Sequence, residues 1–257
     1  MEQTVDFKKE PLGKGYFVYV SKNHTFGTDA VLLADFTGVK TVKNSCDLGT
    51  GCGIIPLLLL RDEKTKDAFG VEISEEAAYL AQKSSKEFCQ GKLKVINSDL
   101  KDLKGKIHFG EFELVTCNPP YKASGAGLLS TTDADKAARH ETMCSLEDVI
   151  RVSSKLLRSG GSLCICQRPE RLSDMMNLMR QYKIEPKRLR IVCKKQGVEP
   201  WLVLLEGKRD AKSGMRIMPP LFVHNENGEY TKEMLSIYGC YKLARVEHNT
   251  PSKQNFR

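Results

Sequence analysis

Two short runs hold groups able to bind a small molecule and act on it. The first is Asp47-Leu48-Gly49-Thr50-Gly51-Cys52-Gly53, which joins an apolar run to a helical one. Closely spaced glycines let a ligand approach the backbone, and the carboxyl end of a strand is where an open α/β sheet binds its ligand. A dinucleotide fingerprint would need a third glycine at position 54, which is Ile54, so the spacing argues against a nicotinamide cofactor. The acidic side chain of Asp47 at the head of the loop would repel a pyrophosphate and suits a ligand with an ammonium group. Glu72 follows Gly53 by 19 positions, where a carboxylate can accept both hydroxyls of a ribose. Asp99, in Asn97-Ser98-Asp99-Leu100, is either an acceptor for the exocyclic amine of an adenine or a turn residue.

The second run is Asn118-Pro119-Pro120-Tyr121. The Asn118 carboxamide oxygen and the Pro119 carbonyl are acceptors, and the two prolines fix φ so that both point outward at little entropic cost. That is a rigid cradle for a planar amino group, and Tyr121 adds a flat face on which a base can stack. On its own the tripeptide Asn-Pro-Pro is more often a simple turn; its place behind the glycine loop and Glu72 gives it weight.

These residues need strand ends to hold them. Short apolar runs at Ser45–Leu48, Asp67–Ile73, Lys92–Asn97, Phe112–Cys117 and Ser162–Gln167 alternate with helical periodicity at Ile54–Asp62, Glu75–Gln90 and Leu146–Arg158, the pattern of a parallel sheet covered by helices on both faces. Ser145 and Asp148 are spaced as a cap for the last of these helices, and Gly160-Gly161 ends it. A further helix is expected near Arg171–Tyr182. The runs Lys187–Cys193 and Trp201–Glu206 are separated by seven residues, too few for a crossover helix, so these strands should be antiparallel. The expected fold is therefore α/β and Rossmann-like, with a mixed seven-stranded sheet, one antiparallel strand and helices on both faces. The expected organisation is an N-terminal segment (1–44) packing over the ligand site, a core (45–207) and a C-terminal extension (208–257). The first of these holds one helix, Asp29–Thr37, capped by Thr28 or Asp29.

The order Asp47–Gly53, Glu72, Asp99 and Asn118–Tyr121 resembles the class I S-adenosylmethionine-dependent methyltransferases, and the Asn-Pro-Pro-Tyr tetrapeptide resembles their amino-methylating branch. Outside the core, Phe26–Leu33, Ala138-Arg139-His140-Glu141, Gly197–Val203, Pro219–Val223 and Tyr230-Thr231 resemble the bacterial family that methylates N6 of adenine 37 in the valine tRNA. The resemblance spans about residues 10–239. It implies S-adenosyl-L-methionine as cofactor, with Asp47, Gly49, Gly51 and Gly53 around its methionine part, Glu72 on the ribose, Asp99 and Leu100 on the adenine, and Thr28 with Asp29 closing over the methionine end. Asn118, Pro119, Pro120 and Tyr121 would form the catalytic cradle, with Asn118 also beside the cofactor. Arg139 and His140 would lie near the target strand, and no proton-transfer role is assigned to His140. The implied reaction needs no metal, because the sulfonium is already an activated methyl donor.

The composition agrees with a soluble globular chain: 257 residues, 40% hydrophobic, 28% charged, net charge +8. The longest apolar run, Ile54–Leu60, is too short to span a bilayer, which needs about 20 residues, and the N-terminus does not read as a secretory signal. No membrane association and a cytoplasmic location are expected. The nine cysteines fit neither a disulfide framework nor a paired-ligand zinc site, and Cys164 and Cys166 should pack on one face of a buried strand. Between residues 183 and 216, ten basic side chains face four acidic ones, a balance suited to a polyanion. Lys187, Arg188, Lys194 and Lys195 flank one strand and are the candidates for RNA-backbone contact. The leading expectation is a tRNA adenine N6-methyltransferase, a monomer or weak dimer. The alternatives are a protein glutamine N5-methyltransferase, whose family carries a helical domain that the 46 residues before Asp47 are too few to supply, and a non-catalytic RNA- or cofactor-binding adaptor.

Overall fold

A computed structural model of the protein describes residues 6–38, 40–119 and 144–239. Pro120, Tyr121, Arg139, His140 and the tail from Cys240 lie outside the described residues. The strands are β1 Phe7–Gly13, β2 Tyr16–Ser21, β3 Val42–Leu48, β4 Thr65–Glu72, β5 Leu93–Asn97, β6 Phe112–Cys117, β7 Leu157–Gln167, β8 Ile184–Cys193, β9 Pro200–Arg209, β10 Arg216–Ile217 and β11 Leu221–Phe222. The helices are α1 Thr28–Phe36, α2 Ile54–Arg61, α3 Glu75–Phe88, α4 Leu146–Leu156, α5 Leu172–Gln181 and α6 Lys232–Tyr238.

Seven strands form the expected mixed sheet in the order β8-β9-β7-β6-β3-β4-β5. All are parallel except β9, which runs antiparallel to both β7 and β8. Two elements extend what the sequence shows. The two-residue strands β10 and β11 add parallel pairs along β8, too short to leave any periodicity. The N-terminal segment forms an antiparallel hairpin, β1–β2, turning where Gly13, Lys14 and Gly15 all have positive φ. It docks on α3, with Tyr19 N–H donating to Ser84 Oγ at 2.9 Å.

Side-chain alternation divides the core between the two faces of the sheet. On β7, Cys164 and Cys166 join the cluster beneath α1 and α2, and Leu163 and Ile165 join the one beneath α4 and α5. Helix α2 is buried at every position from Ile54 to Leu60, so truncating Leu57 to Ala should cost about 2–5 kcal/mol. Ser145 and Asp148 form a reciprocal capping box at the start of α4. Helix α1 differs from expectation: it begins at Thr28 with Gly27 as its N-cap, and Asp29, inside the first turn, accepts the Ala30 N–H on its Oδ1 at 3.0 Å. None of the helices is long and apolar enough to cross a membrane among the described residues.

Candidate active site

The loops at the carboxyl ends of β3, β4, β5 and β6 enclose two cavities of about 350 Å3 each. The first is walled by Glu72, Ile73, Asp99, Leu100 and Val149, with Asn23 and His24 at its side. The second lies between the glycine loop and the start of α1, walled by Phe26, Gly27, Asp29, Thr50, Gly51 and Ile55. Gly49, Asn118 and Pro119 line both. The site therefore suits one ligand with two unlike ends that meet beside Asn118.

Glu72 ends β4 and is 8% exposed. Its Oε2 accepts the Gly51 N–H and its Oε1 the Ser74 N–H, each at 2.8 Å. The glycine loop and the cap of α3 thus clamp the carboxylate, and each oxygen keeps a lone pair for a ligand hydroxyl. Asp99 is a turn residue, its Oδ1 accepting the Lys101 N–H at 2.8 Å, and it also walls the cavity. The apolar walls Val71, Ile73, Leu100 and Val149 suit a planar ring. Asn118 directly follows β6, and the Cys166 thiol on neighbouring β7 donates to its Oδ1 at 3.0 Å. That contact ties the carboxamide to β7.

Residues 17–185 match the family described as methyltransferase small domain. The chain belongs to that family. It is 29% identical over 222 residues to the tRNA1(Val) (adenine(37)-N6)-methyltransferase of Porphyromonas gingivalis, covering 82% of this chain and 86% of that protein. The enzyme of the same name from Photorhabdus laumondii is 28% identical, over 84% of this chain and 88% of the other. Among solved structures, a predicted O-methyltransferase from Agrobacterium tumefaciens superposes with a TM-score of 0.67 at 20% identity, covering 83% of this chain and 97% of its own. That likeness shows the fold.

In this methyltransferase-family chain the residues picked out by sequence divide into those facing the cavities and those behind them. Gly49, Gly51, Asp29, Glu72, Asp99, Leu100, Asn118 and Pro119 face a cavity. Gly53 faces neither. Its φ is +86° and a Cβ there would stand 3.1 Å from Ala81 Cβ, so it is glycine because α3 crosses it. Asp47 is 2% exposed and sits behind the loop. Thr116 Oγ1 donates to its Oδ1 at 2.6 Å, while Oδ2 has no hydrogen-bond partner among the described residues. Burial pushes the Asp47 carboxyl up to about 7, against the pull of the Thr116 hydroxyl, and the Glu72 charge adds to the rise. Thr28 turns away from the cavity to share a hydrogen bond of 2.8 Å with the Tyr238 hydroxyl.

The structure does not bring the four basic candidates together. Lys194 and Lys195 follow β8 at the same end of the sheet as the cavities. Lys187 and Arg188 sit near the start of β8, at the opposite end. Arg188 is held by Glu206 at 2.7 Å and lies 4.3 Å over the Phe36 ring. The reason is the strand itself, which carries residues six to eight positions apart to its two ends, about 20–26 Å from each other. Sequence reasoning also missed Asn23, His24 and Cys166. His24 Nε2 lies 3.1 Å from Ser74 Oγ, in a loop without periodicity, and Cys166 reads as core from alternation alone.

Proposed function

We propose that this protein transfers a methyl group from S-adenosylmethionine to N6 of an adenine in tRNA, in the anticodon loop at position 37. The observation that supports this most is the junction of the two cavities at Gly49, Asn118 and Pro119, with a clamped carboxylate on one side and a glycine loop on the other. The residues fit the cofactor: Glu72 would hold the ribose diol, Asp99 and Leu100 the adenine, and Asp29 with the Gly49–Gly51 backbone the methionine end. S-adenosylmethionine supplies an activated methyl on its sulfonium. The names of the relatives from Porphyromonas gingivalis and Photorhabdus laumondii supply the substrate.

Adenine N6 is a poor nucleophile because its lone pair is delocalised into the ring. Asn118 Oδ1 and the Pro119 carbonyl would accept its two hydrogens, favouring a pyramidal nitrogen with the lone pair directed at the methyl. Rate then comes from positioning and preorganised dipoles, and the proton leaves after transfer. Tyr121 would stack on the target base, and Arg139 and His140 would flank it. Lys194 and Lys195, at the same end of the sheet, would grip phosphates beside the flipped base. An anticodon loop presents unpaired bases, so it is the least costly source of an adenine able to enter. Incubating the enzyme with a valine tRNA transcript carrying adenine or guanine at position 37 tests the assignment. Methyl incorporation into the adenine transcript alone is expected; equal incorporation into both would overturn the position.

A further inference from the structure

A second concave surface lies at the far end of the sheet from the active site. It has a volume of about 680 Å3 and is formed where β3, β4, β6, β7 and β8 begin and β9 ends. Seven basic residues line it: Lys40, Lys64, Arg158, Lys187, Arg188, Lys208 and Arg216. The two carboxylates in its wall are already engaged, Glu113 by Arg158 at 3.0 Å and Glu206 by Arg188 at 2.7 Å. Lys64 Nζ donates to the Ala34 and Asp35 carbonyls, and the nearby Asp35 and Asp62 charges offset its own; Lys187 Nζ donates to the Lys212 carbonyl, a contact that cancels no charge. Lys40, Lys208 and Arg216 are exposed and make no ion pair among the described residues. Four uncompensated cations, Lys40, Lys187, Lys208 and Arg216, thus converge on one groove, where a folded chain would ordinarily disperse them or pair them with carboxylates.

We propose that this groove is a second RNA-binding site, which takes the phosphate backbone of the substrate outside the methylated loop. The identity of the polyanion rests on the tRNA reading above; the groove itself rests on its charge and shape. Val42 at its wall and Gly49 at the active site are the two ends of one strand, about 23 Å apart at 3.3 Å per residue. A single loop nucleotide held at Asn118 cannot touch both. A folded tRNA extends far enough to do so, and each phosphate neutralised releases condensed counterions. The basic run in the sequence therefore serves two places: Lys194 and Lys195 beside the site, and Lys187, Lys208 and Arg216 at the distal groove.

The test is the triple variant Lys40→Ala, Lys208→Ala, Arg216→Ala in the full chain, whose three side chains carry no described hydrogen bond needed for folding. Binding is measured as a function of salt for two RNAs, full-length tRNA and a seven-nucleotide single strand carrying the target adenine. The variant should bind tRNA about 10-fold more weakly at low salt, with a salt slope shallower by about 2 to 3 for three lost phosphate contacts. Its affinity for the short strand, its KM for S-adenosylmethionine and its melting temperature should stay as in the parent. An unchanged slope for tRNA, or an equal loss on the short strand, would overturn the distal site. So would displacement of tRNA from the parent protein by inorganic phosphate at matched ionic strength, which would mark a small-anion pocket. If the parent binds tRNA with this slope and methylates none, the groove stands and the catalytic reading fails.

Discussion

Replacing Glu72 by Gln removes one charge and almost no volume, yet it should behave nearly as badly as Glu72→Ala. Both carboxylate oxygens accept backbone N–H groups, from Gly51 and from Ser74. A carboxamide offers one acceptor, so whichever way it turns, its NH2 meets a backbone N–H. Hydrogen bonds to a charged group contribute about 1.5–3 kcal/mol. Losing the clamp at one oxygen should therefore lower stability by about that amount, and losing the ribose bonds should weaken cofactor binding by about 10- to 150-fold. Titration calorimetry with S-adenosylmethionine, paired with thermal melts of the unliganded protein, separates the two effects. If Glu72→Gln keeps both the parental melting temperature and the parental affinity, Glu72 neither pins the loop nor holds the ribose.

Asn118→Ala should leave cofactor affinity nearly intact and lower the methylation rate by about 100-fold or more; single-turnover kinetics beside calorimetry check the split, and a matching loss of affinity would contradict it. Cys166→Ala should lower kcat by about two- to five-fold, the worth of one weak hydrogen bond, with Cys166→Ser restoring it; equal rates in both variants would remove the positioning role. Asp47 titrates near 7 when folded against an ordinary value of 3.8, so the folded state holds its proton more tightly. Its contribution to stability is full below about pH 4 and is lost as pH rises to about 7. Asp47→Asn should flatten that part of the profile, and denaturant melts from pH 4 to 8 that show the same slope in both proteins would refute the cause.

The alternation of strands with helices and the antiparallel pairing of β8 with β9 were legible because burial on both faces writes continuous apolar runs and the link after Cys193 is too short for a helix. The cavity-facing acids Glu72 and Asp99 were legible because strand ends and turn residues occupy fixed places in that repeat. Other assignments needed the third dimension. Gly53 shares a motif with Gly49 and Gly51, and only the crossing of α3 against it shows a packing role. Thr28 has the chemistry of a cap or a ligand contact, yet its hydroxyl is turned to Tyr238, 210 residues away. Lys187 and Lys194 look like one basic patch until the strand between them carries them to opposite ends of the sheet. The β1–β2 hairpin stayed hidden because Lys8, Lys9 and Glu10 break the alternation of its first strand.

The central claim is that the junction at Asn118 presents an adenine amine to an activated methyl. It is tested most directly by incubating the protein with methyl-labelled S-adenosylmethionine and unmodified total tRNA, then digesting the RNA and identifying the labelled nucleoside by mass spectrometry. The account predicts label in N6-methyladenosine alone, and none with Asn118→Ala at the same protein concentration. Label in a ring-nitrogen or ribose-methylated nucleoside, or label in protein with none in RNA, would contradict it.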